Sequence, residues 1–197
     1  GAITHTQANN LNSVDATYIQ ATISETTVQN LSGIAVNNST RASLNKFSIV
    51  VSDTSATAAE LNAVQALTSI AVDASNISAT NSTGVEASPS ADITTLITGT
   101  VPTGVSTAAI SVNDTTINAG TLKTIDTFTT GTVTTTATRI EGTAADLHAV
   151  VDGGITHANT VPMTVNDTTF AAADLIAVDA LTSGLITVSA NGMTGNI

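Results

Sequence analysis

The side chains in this chain that could do chemistry are few, and they recur at matching places. Asp114 and Asp126 stand at the two ends of one segment, and Asp167 and Asp179 stand at the same two places in another. Carboxylates and Asn oxygens in turns are the ligand chemistry of calcium, a hard cation that gathers about six to eight oxygens. These four residues are therefore the calcium candidates. The matching segment upstream carries Gln65 where the second Asp would fall, and the Gly-rich calcium-binding nonapeptide is absent. The same acids read equally as helix caps and solvated helix ends. His5, His148 and His157 share no metal-ligand spacing such as HExxH. Serines are plentiful, but no G-x-S-x-G elbow or phosphate-cradling Gly-rich loop surrounds any of them. No enzyme signature emerges, and no catalytic or cofactor-binding residue is assigned.

The elements that must position these acids form a repeat. Val51-Ser-Asp-Thr leads to Leu61-Asn-Ala-Val64, Val112-Asn-Asp-Thr to Leu122-Lys-Thr-Ile125, and Val165-Asn-Asp-Thr to Leu175-Ile-Ala-Val178. Each phrase reads as an acidic turn followed by a short helix whose Leu and Val, three residues apart, share one face. Asp53-Thr54, Asp114-Thr115 and Asp167-Thr168 precede that stripe, where their oxygens can cap free N–H groups. Thr68-Ser69, Thr129-Thr130-Gly131, Asp152-Gly153-Gly154 and Thr182-Ser183-Gly184 end the helices. Gly there suits a left-handed C-terminal cap. Alternating strands follow, such as Val133–Thr138 and Leu185–Val188. From Val112 onward the units recur about every 25–28 residues, whereas near the N-terminus they crowd to about 13–20. Residues 76–107 fit least well and read as an insertion or bulged-out unit.

This pattern predicts a fold that is mainly β with short helices: a repeat β-solenoid of parallel strands plus one short helix per turn of the chain. Residues 1–50 read as irregular N-terminal repeats or a cap, and residues 51–197 as the solenoid, within one elongated domain. Tandem immunoglobulin-like sandwiches would not place a Leu-x-x-Val helix at this spacing.

Composition narrows the function classes. Apolar residues make up 42% of the chain but aromatics only 2%, so the core is built from Ala, Val, Ile and Leu. Thr supplies about one residue in five, and its branched, hydroxylated side chain favours strands and keeps a surface wet without charge. The net charge of −11 reflects only four Lys and Arg. Without a basic patch to neutralise phosphates, nucleic acid is not expected as a partner. No apolar run near the length of a membrane span occurs, so membrane insertion is not expected. Cysteine is absent, which removes disulfides, thiol nucleophiles and Cys-ligated metals.

The phrases Thr57-Ala-Ala-Glu-Leu-Asn-Ala-Val, Gly142-Thr-Ala-Ala-Asp-Leu-His-Ala-Val and Val178-Asp-Ala-Leu-Thr-Ser-Gly resemble repeats of giant cell-surface proteins of marine cyanobacteria, associated with surface layers, motility or adhesion. The resemblance covers about half the chain, mostly residues 51–72 and 112–190. It implies an extracellular location and a scaffold role, and it carries over no site residues.

The expectation is thus a non-enzymatic extracellular structural protein that self-associates, as a homo-polymer or part of a longer repeat array, into a surface filament or layer. Residues 193–197 follow soon after a strand with no polar capping helix, which motivates end-to-end joining. Two other functions are weighed. One is an adhesin or carbohydrate-binding module. The other is ice binding, through a hydroxyl ladder at Thr132, Thr134, Thr136 and Thr138. Glycans could attach at the sequons of Asn30, Asn37, Asn38, Asn76, Asn81, Asn113 and Asn166.

Overall fold

Short polar side chains set where most of the helices begin. The computed structural model describes residues 1–13, 19–34, 45–77 and 84–189. Within them lie seven α-helices: α1 (His5–Ser13), α2 (Val28–Leu31), α3 (Ala58–Gln65), α4 (Ser90–Thr98), α5 (Ala119–Phe128), α6 (Ala144–Asp152) and α7 (Ala172–Leu181). The Thr27 and Thr143 oxygens accept the N–H groups of Asn30 and Asp146 at the starts of α2 and α6. Asn118 accepts those of Gly120 and Thr121 at α5. Thr57 and Glu60 form a reciprocal capping box at α3. Each such cap contributes about 1 kcal/mol. Pro89 and Ala171, which precede α4 and α7, supply no side-chain cap.

Helices of this length are marginal alone and persist because one stripe is buried. Leu61 and Val64, Ile93 and Leu96, Leu122 and Ile125, and Leu147 and Val150 are all buried, as is Val178 of α7. A fully buried aliphatic side chain of this kind stabilises by about 1.5–3 kcal/mol. These residues join strand residues such as Ile110, Ile140 and Met163 in one continuous core running from Ala8 to Val178.

Three sheets, all parallel, contribute to that core. The first orders β1 (Ala2–Ile3), β2 (Gln20–Ile23) and β3 (Lys46–Ser48). The second orders β4 (Ala56–Thr57), β5 (Val85–Ser88), β6 (Ile110–Val112) and β8 (Val133–Thr135). The third orders β7 (Thr116–Asn118), β9 (Arg139–Gly142), β10 (Met163–Val165) and β11 (Ile186–Val188). In the third sheet Ile117 pairs with Ile140, Ile140 with Met163, and Met163 with Ile186, a step of 23 residues each time. Helices α2 to α7 pack side by side in chain order.

The helix step is longer than the strand step. Residue Thr143 alone joins β9 to α6, whereas residues 166–171 separate β10 from α7. As a result Val112 and Val165, which open the same Val-Asn-Asp-Thr phrase, lie in different sheets, in β6 and β10. Residues 84–107, within the stretch expected to hold an insertion, supply β5 and α4 in regular places. The pairing of β5 with β6 moves from Val85↔Ile110 to Ser88↔Val112, so one extra residue is absorbed as a β-bulge.

The expected mainly β fold, a β-solenoid with short helices, is overturned. Seven helices run through the described residues, and the architecture there is mixed α/β with three parallel sheets of three or four strands. The physical reason lies in threonine. In α4 the hydroxyls of Thr94, Thr95 and Thr98 donate to the carbonyls four residues back, at 2.7, 3.0 and 2.7 Å. In α5 Thr124 and Thr127 do the same at 2.8 Å. A hydroxyl satisfied in this way lets a strand-favouring residue sit in a helix. The sequons at Asn37, Asn38 and Asn81 and the closing residues 193–197 lie outside the described residues.

Candidate functional site

The polar side chains singled out in the sequence converge on the joints between successive units. A helix leaves its first N–H groups without intrahelical partners, and here the next unit supplies an acceptor. The His5 N–H donates to both carboxylate oxygens of Glu25 at 3.0 Å. The Val28 N–H donates to Asp53 Oδ2 at 2.9 Å, and the Ala58 N–H to Ser88 Oγ at 2.9 Å. The Ser90 N–H donates to Asp114 Oδ2 at 2.7 Å, while the Ser90 hydroxyl donates to Asp114 Oδ1 at 3.1 Å. The Ala144 N–H donates to Asp167 Oδ2 at 2.6 Å. Negative charge at a helix N-terminus is also favoured by the helix dipole. Asp53, Asp114 and Asp167 thus cap the helix before them, not the helix they precede, which corrects the local reading of the Asp-Thr turn. At α5 the corresponding place is taken by Gly142, where a Cβ would press to 3.0 Å on the Cβ of Ala119. That helix relies on its own Asn118.

A second joint lies at the other end of the helices. The hydroxyls of Thr68, Thr129 and Thr182 donate to the carbonyls of Phe47, Ala108 and Asn159 in the preceding unit, at 2.9, 2.6 and 2.9 Å. The same oxygens accept the N–H groups of Ile70, Gly131 and Gly184. A Cβ at Gly131 or Gly184 would run into the carbonyl of Ala108 or Val161. Glycine stands there because two backbones nearly touch. The left-handed conformation expected at the helix ends occurs at Gly154, with φ of 84°. Gln65, which stands where other units carry Asp, ties down the turn after α3: its amide donates to Ile70 O at 2.9 Å, and its oxygen accepts the Val72 N–H at 3.0 Å.

A third set of ties joins helix flanks. Asn62 donates to the carbonyl of Asp92 at 2.9 Å, Lys123 pairs with Asp146 at 2.9 Å, and His148 Nδ1 lies 4.0 Å from Asp174. In each case the residue after a buried Leu reaches the residue before the core-facing Leu or Ile of the next helix, Ile93, Leu147 or the partly buried Leu175. The hydrogen bond from Lys123 is the chief cause holding the Asp146 carboxyl below its ordinary range, with Thr143 adding to it. Both partners are partly exposed, so the pair contributes only up to about 1 kcal/mol. Glu25 is lowered mainly by the His5 N–H. Asp73 is lowered by the hydroxyl and then the N–H of Ser75, and by Thr103.

Of the four calcium candidates, Asp114 and Asp167 are engaged in helix capping. Asp126 lies half-buried in the last turn of α5, and Asp179 is exposed beside Ile176 and Ile186. Among the described residues no group of three or more His, Cys, Asp or Glu is gathered to hold a metal. His5 is bound to Glu25 at 3.0 Å, and His157 Nδ1 lies 3.1 Å from the Ala158 carbonyl oxygen. The Asn113 and Asn166 side chains are exposed, whereas Asn76 donates to the Val51 carbonyl. In the Thr ladder Thr134 is matched across the sheet by Ser111 and Thr156, and the Thr138 hydroxyl donates to the Thr115 carbonyl.

Two grooves open on the helical side. One, of about 600 Å³, runs between α4 and α5, with Ile97, Thr98, Lys123, Thr127 and Phe128 on its walls and Asp146 at its edge. The other, of about 360 Å³, lies on the outer flank of α7 and β11. Sequence reasoning missed both, since each depends on which helix flanks stay open. No helix among the described residues is long and apolar enough to cross a membrane. Comparison with protein-family models, with curated proteins and with solved structures finds no match to this chain.

Proposed function

We propose that this chain is a non-enzymatic structural protein of the cell exterior, a repeat scaffold that assembles end to end into a surface filament or layer. The observation that carries this reading is the use made of its polar groups. Glu25, Asp53, Ser88, Asp114 and Asp167 each cap the helix of the preceding unit. The carboxylates and hydroxyls that an enzyme would aim into a cleft serve here to join one unit to the next. The scarcity of Lys and Arg, the absence of Cys and the hydroxyl-rich composition agree with an exterior location, as does the resemblance to giant surface-protein repeats. Electron microscopy of the purified chain, with immunogold labelling of producing cells, tests the proposal. Filaments or sheets at the cell surface support it. Dispersed monomers confined to the cell interior refute it.

A carbohydrate-binding adhesin is the second reading, favoured by the groove between α4 and α5. Phe128, rare as an aromatic in this chain, offers a ring face there. Around it the hydroxyls of Thr98 and Thr127 have spent their protons on helix carbonyls and present acceptor lone pairs. Binding on a glycan array that Phe128→Ala abolishes would support this reading, and a blank array would remove it.

A further inference from the structure

The last described helix departs from what α3, α5 and α6 do. Asn62, Lys123 and His148 each reach from one helix flank to the next. In α7 the same position, one residue after Leu175, is Ile176, which is 63% exposed. Asp174 faces α6 through His148. At about 100° per residue, Ile176 therefore lies on the opposite, outward flank. Beside it Val188 is 40% exposed and Ile186 half-buried. Their counterparts one unit back are closed. Met163 and Val165, which pair with Ile186 and Val188, are both buried. Interior units thus bury this surface under a further strand and helix, and here it forms an apolar groove lined by Leu175, Ile176, Asp179, Ile186 and Val188.

The other end of the helix row shows a matching flank. In α1 the Asn9 amide donates to the Gly33 carbonyl and His5 contacts Glu25, so that side faces the second unit. Leu11 lies about 200° round the helix from Asn9 and is 40% exposed. Gln7 shares that outward side; its oxygen accepts the Thr4 N–H, which leaves its NH₂ free to donate. Strand β1, just before α1, is the outer strand of its sheet, as β11 is of its own.

Resting on the assembly reading above, we infer that the α7/β11 flank is a docking surface for the α1 flank of a second copy of this chain. Ile176 and Val188 meet Leu11, Gln7 donates to Asp179, and β1 of the second copy lies alongside β11. The joint repeats in trans the contact that every pair of units makes in cis, a parallel strand beside a parallel strand and a helix beside a helix. Because the two flanks differ, the contact is heterologous and does not close on itself after two copies.

Sedimentation velocity of the full chain across a concentration range tests this. The unsubstituted chain is expected to form a growing series of species. Ile176→Glu or Leu11→Glu alone should abolish the series, weakening each joint by at least about tenfold. An equimolar mixture of the two variants should stop at a dimer, since only one compatible joint remains. Both positions are solvent-exposed, so unchanged melting and circular dichroism will certify the fold. A series untouched by both substitutions overturns the inference while leaving assembly through another face. Loss of the series with Ile176→Glu but not Leu11→Glu shows the α7 flank pairing with something other than α1, and overturns the inference too. A chain that is monomeric throughout overturns both this joint and end-to-end assembly. If Ile176→Glu also lowers its melting temperature, the flank is covered by the chain's own residues.

Discussion

Replacing Asp114 with Ala should loosen α4, which lies in the preceding unit, and spare α5, which follows Asp114 in sequence. Pro89 gives α4 no side-chain cap, so Asp114 is the acceptor for both the Ser90 N–H, at 2.7 Å, and the Ser90 hydroxyl, at 3.1 Å. Losing a cap costs about 0.5–2 kcal/mol, and removing a carboxylate from a helix N-terminus costs about 0.3–1 kcal/mol more. The two overlap, and a net loss of about 2 kcal/mol follows. In a chain of this size that lowers the melting temperature by about 4–8 °C. Asp167→Ala provides the internal comparison. It removes the bond to the Ala144 N–H, but Thr143 still caps α6 through the Asp146 N–H at 3.0 Å. A loss of about 1 kcal/mol is expected there. Thermal melts give the order of the two effects, and amide hydrogen exchange gives their location. In Asp114→Ala, protection should fall across the first turn of α4. If α5 loses protection instead, or if Asp167→Ala costs as much as Asp114→Ala, the idea that each acid serves the helix before it is wrong.

Three further outcomes follow from the same joints. Gly131→Ala and Gly184→Ala force a Cβ onto the backbone of the preceding unit and should each cost about 1–3 kcal/mol, whereas Gly154→Ala, with φ of 84° but open space around it, should cost about 1–2 kcal/mol; chemical denaturation ranks them. Glu25, Asp73 and Asp146 all have carboxyls held below their ordinary range. Their contribution is therefore complete above the unfolded values and fades as pH falls through the folded ones. The melting temperature should stay level near neutrality and drop below about pH 4, and a rise on acidification would contradict this. Because Asp114 and Asp167 are engaged at helix ends, adding calcium or a chelator should leave the melting temperature unchanged, and a clear calcium-induced rise would reinstate the acids as ligands.

The buried stripe was legible in the sequence. Leu61 and Val64, Leu122 and Ile125, and Leu147 and Val150 follow from their spacing alone, because a helix places residues three apart on one face whatever lies around it. The local caps of α3 and α5 are instead Thr57 and Asn118, a few residues beyond the Asp-Thr turns to which the sequence assigned that role. What could not be read was the partner of each Asp. Sequence shows Asp114 close to α5, while its bond runs to Ser90, and only the packing of unit on unit decides between them. Threonine misled for a related reason: its strand preference is an average, and the carbonyls of α4 and α5 offered the hydroxyls a better use. Gly131 and Gly184 resembled left-handed helix ends, but the approach of a neighbouring backbone, invisible along one stretch of chain, is what excludes a side chain there. The α7/β11 groove depends on which flank is left uncovered, so no local pattern could mark it.

The caps reached from the following unit also bear on when the molecule becomes stable as it is made. A helix such as α6 has its own sequence complete well before Asp167 exists, 23 residues after Ala144. At roughly 5–20 residues per second of synthesis, such a helix waits about one to five seconds for the carboxylate that completes its first turn. Maturation then trails elongation by one unit. A ribosome that stalls leaves one helix end open to water and proteases while everything before it is finished.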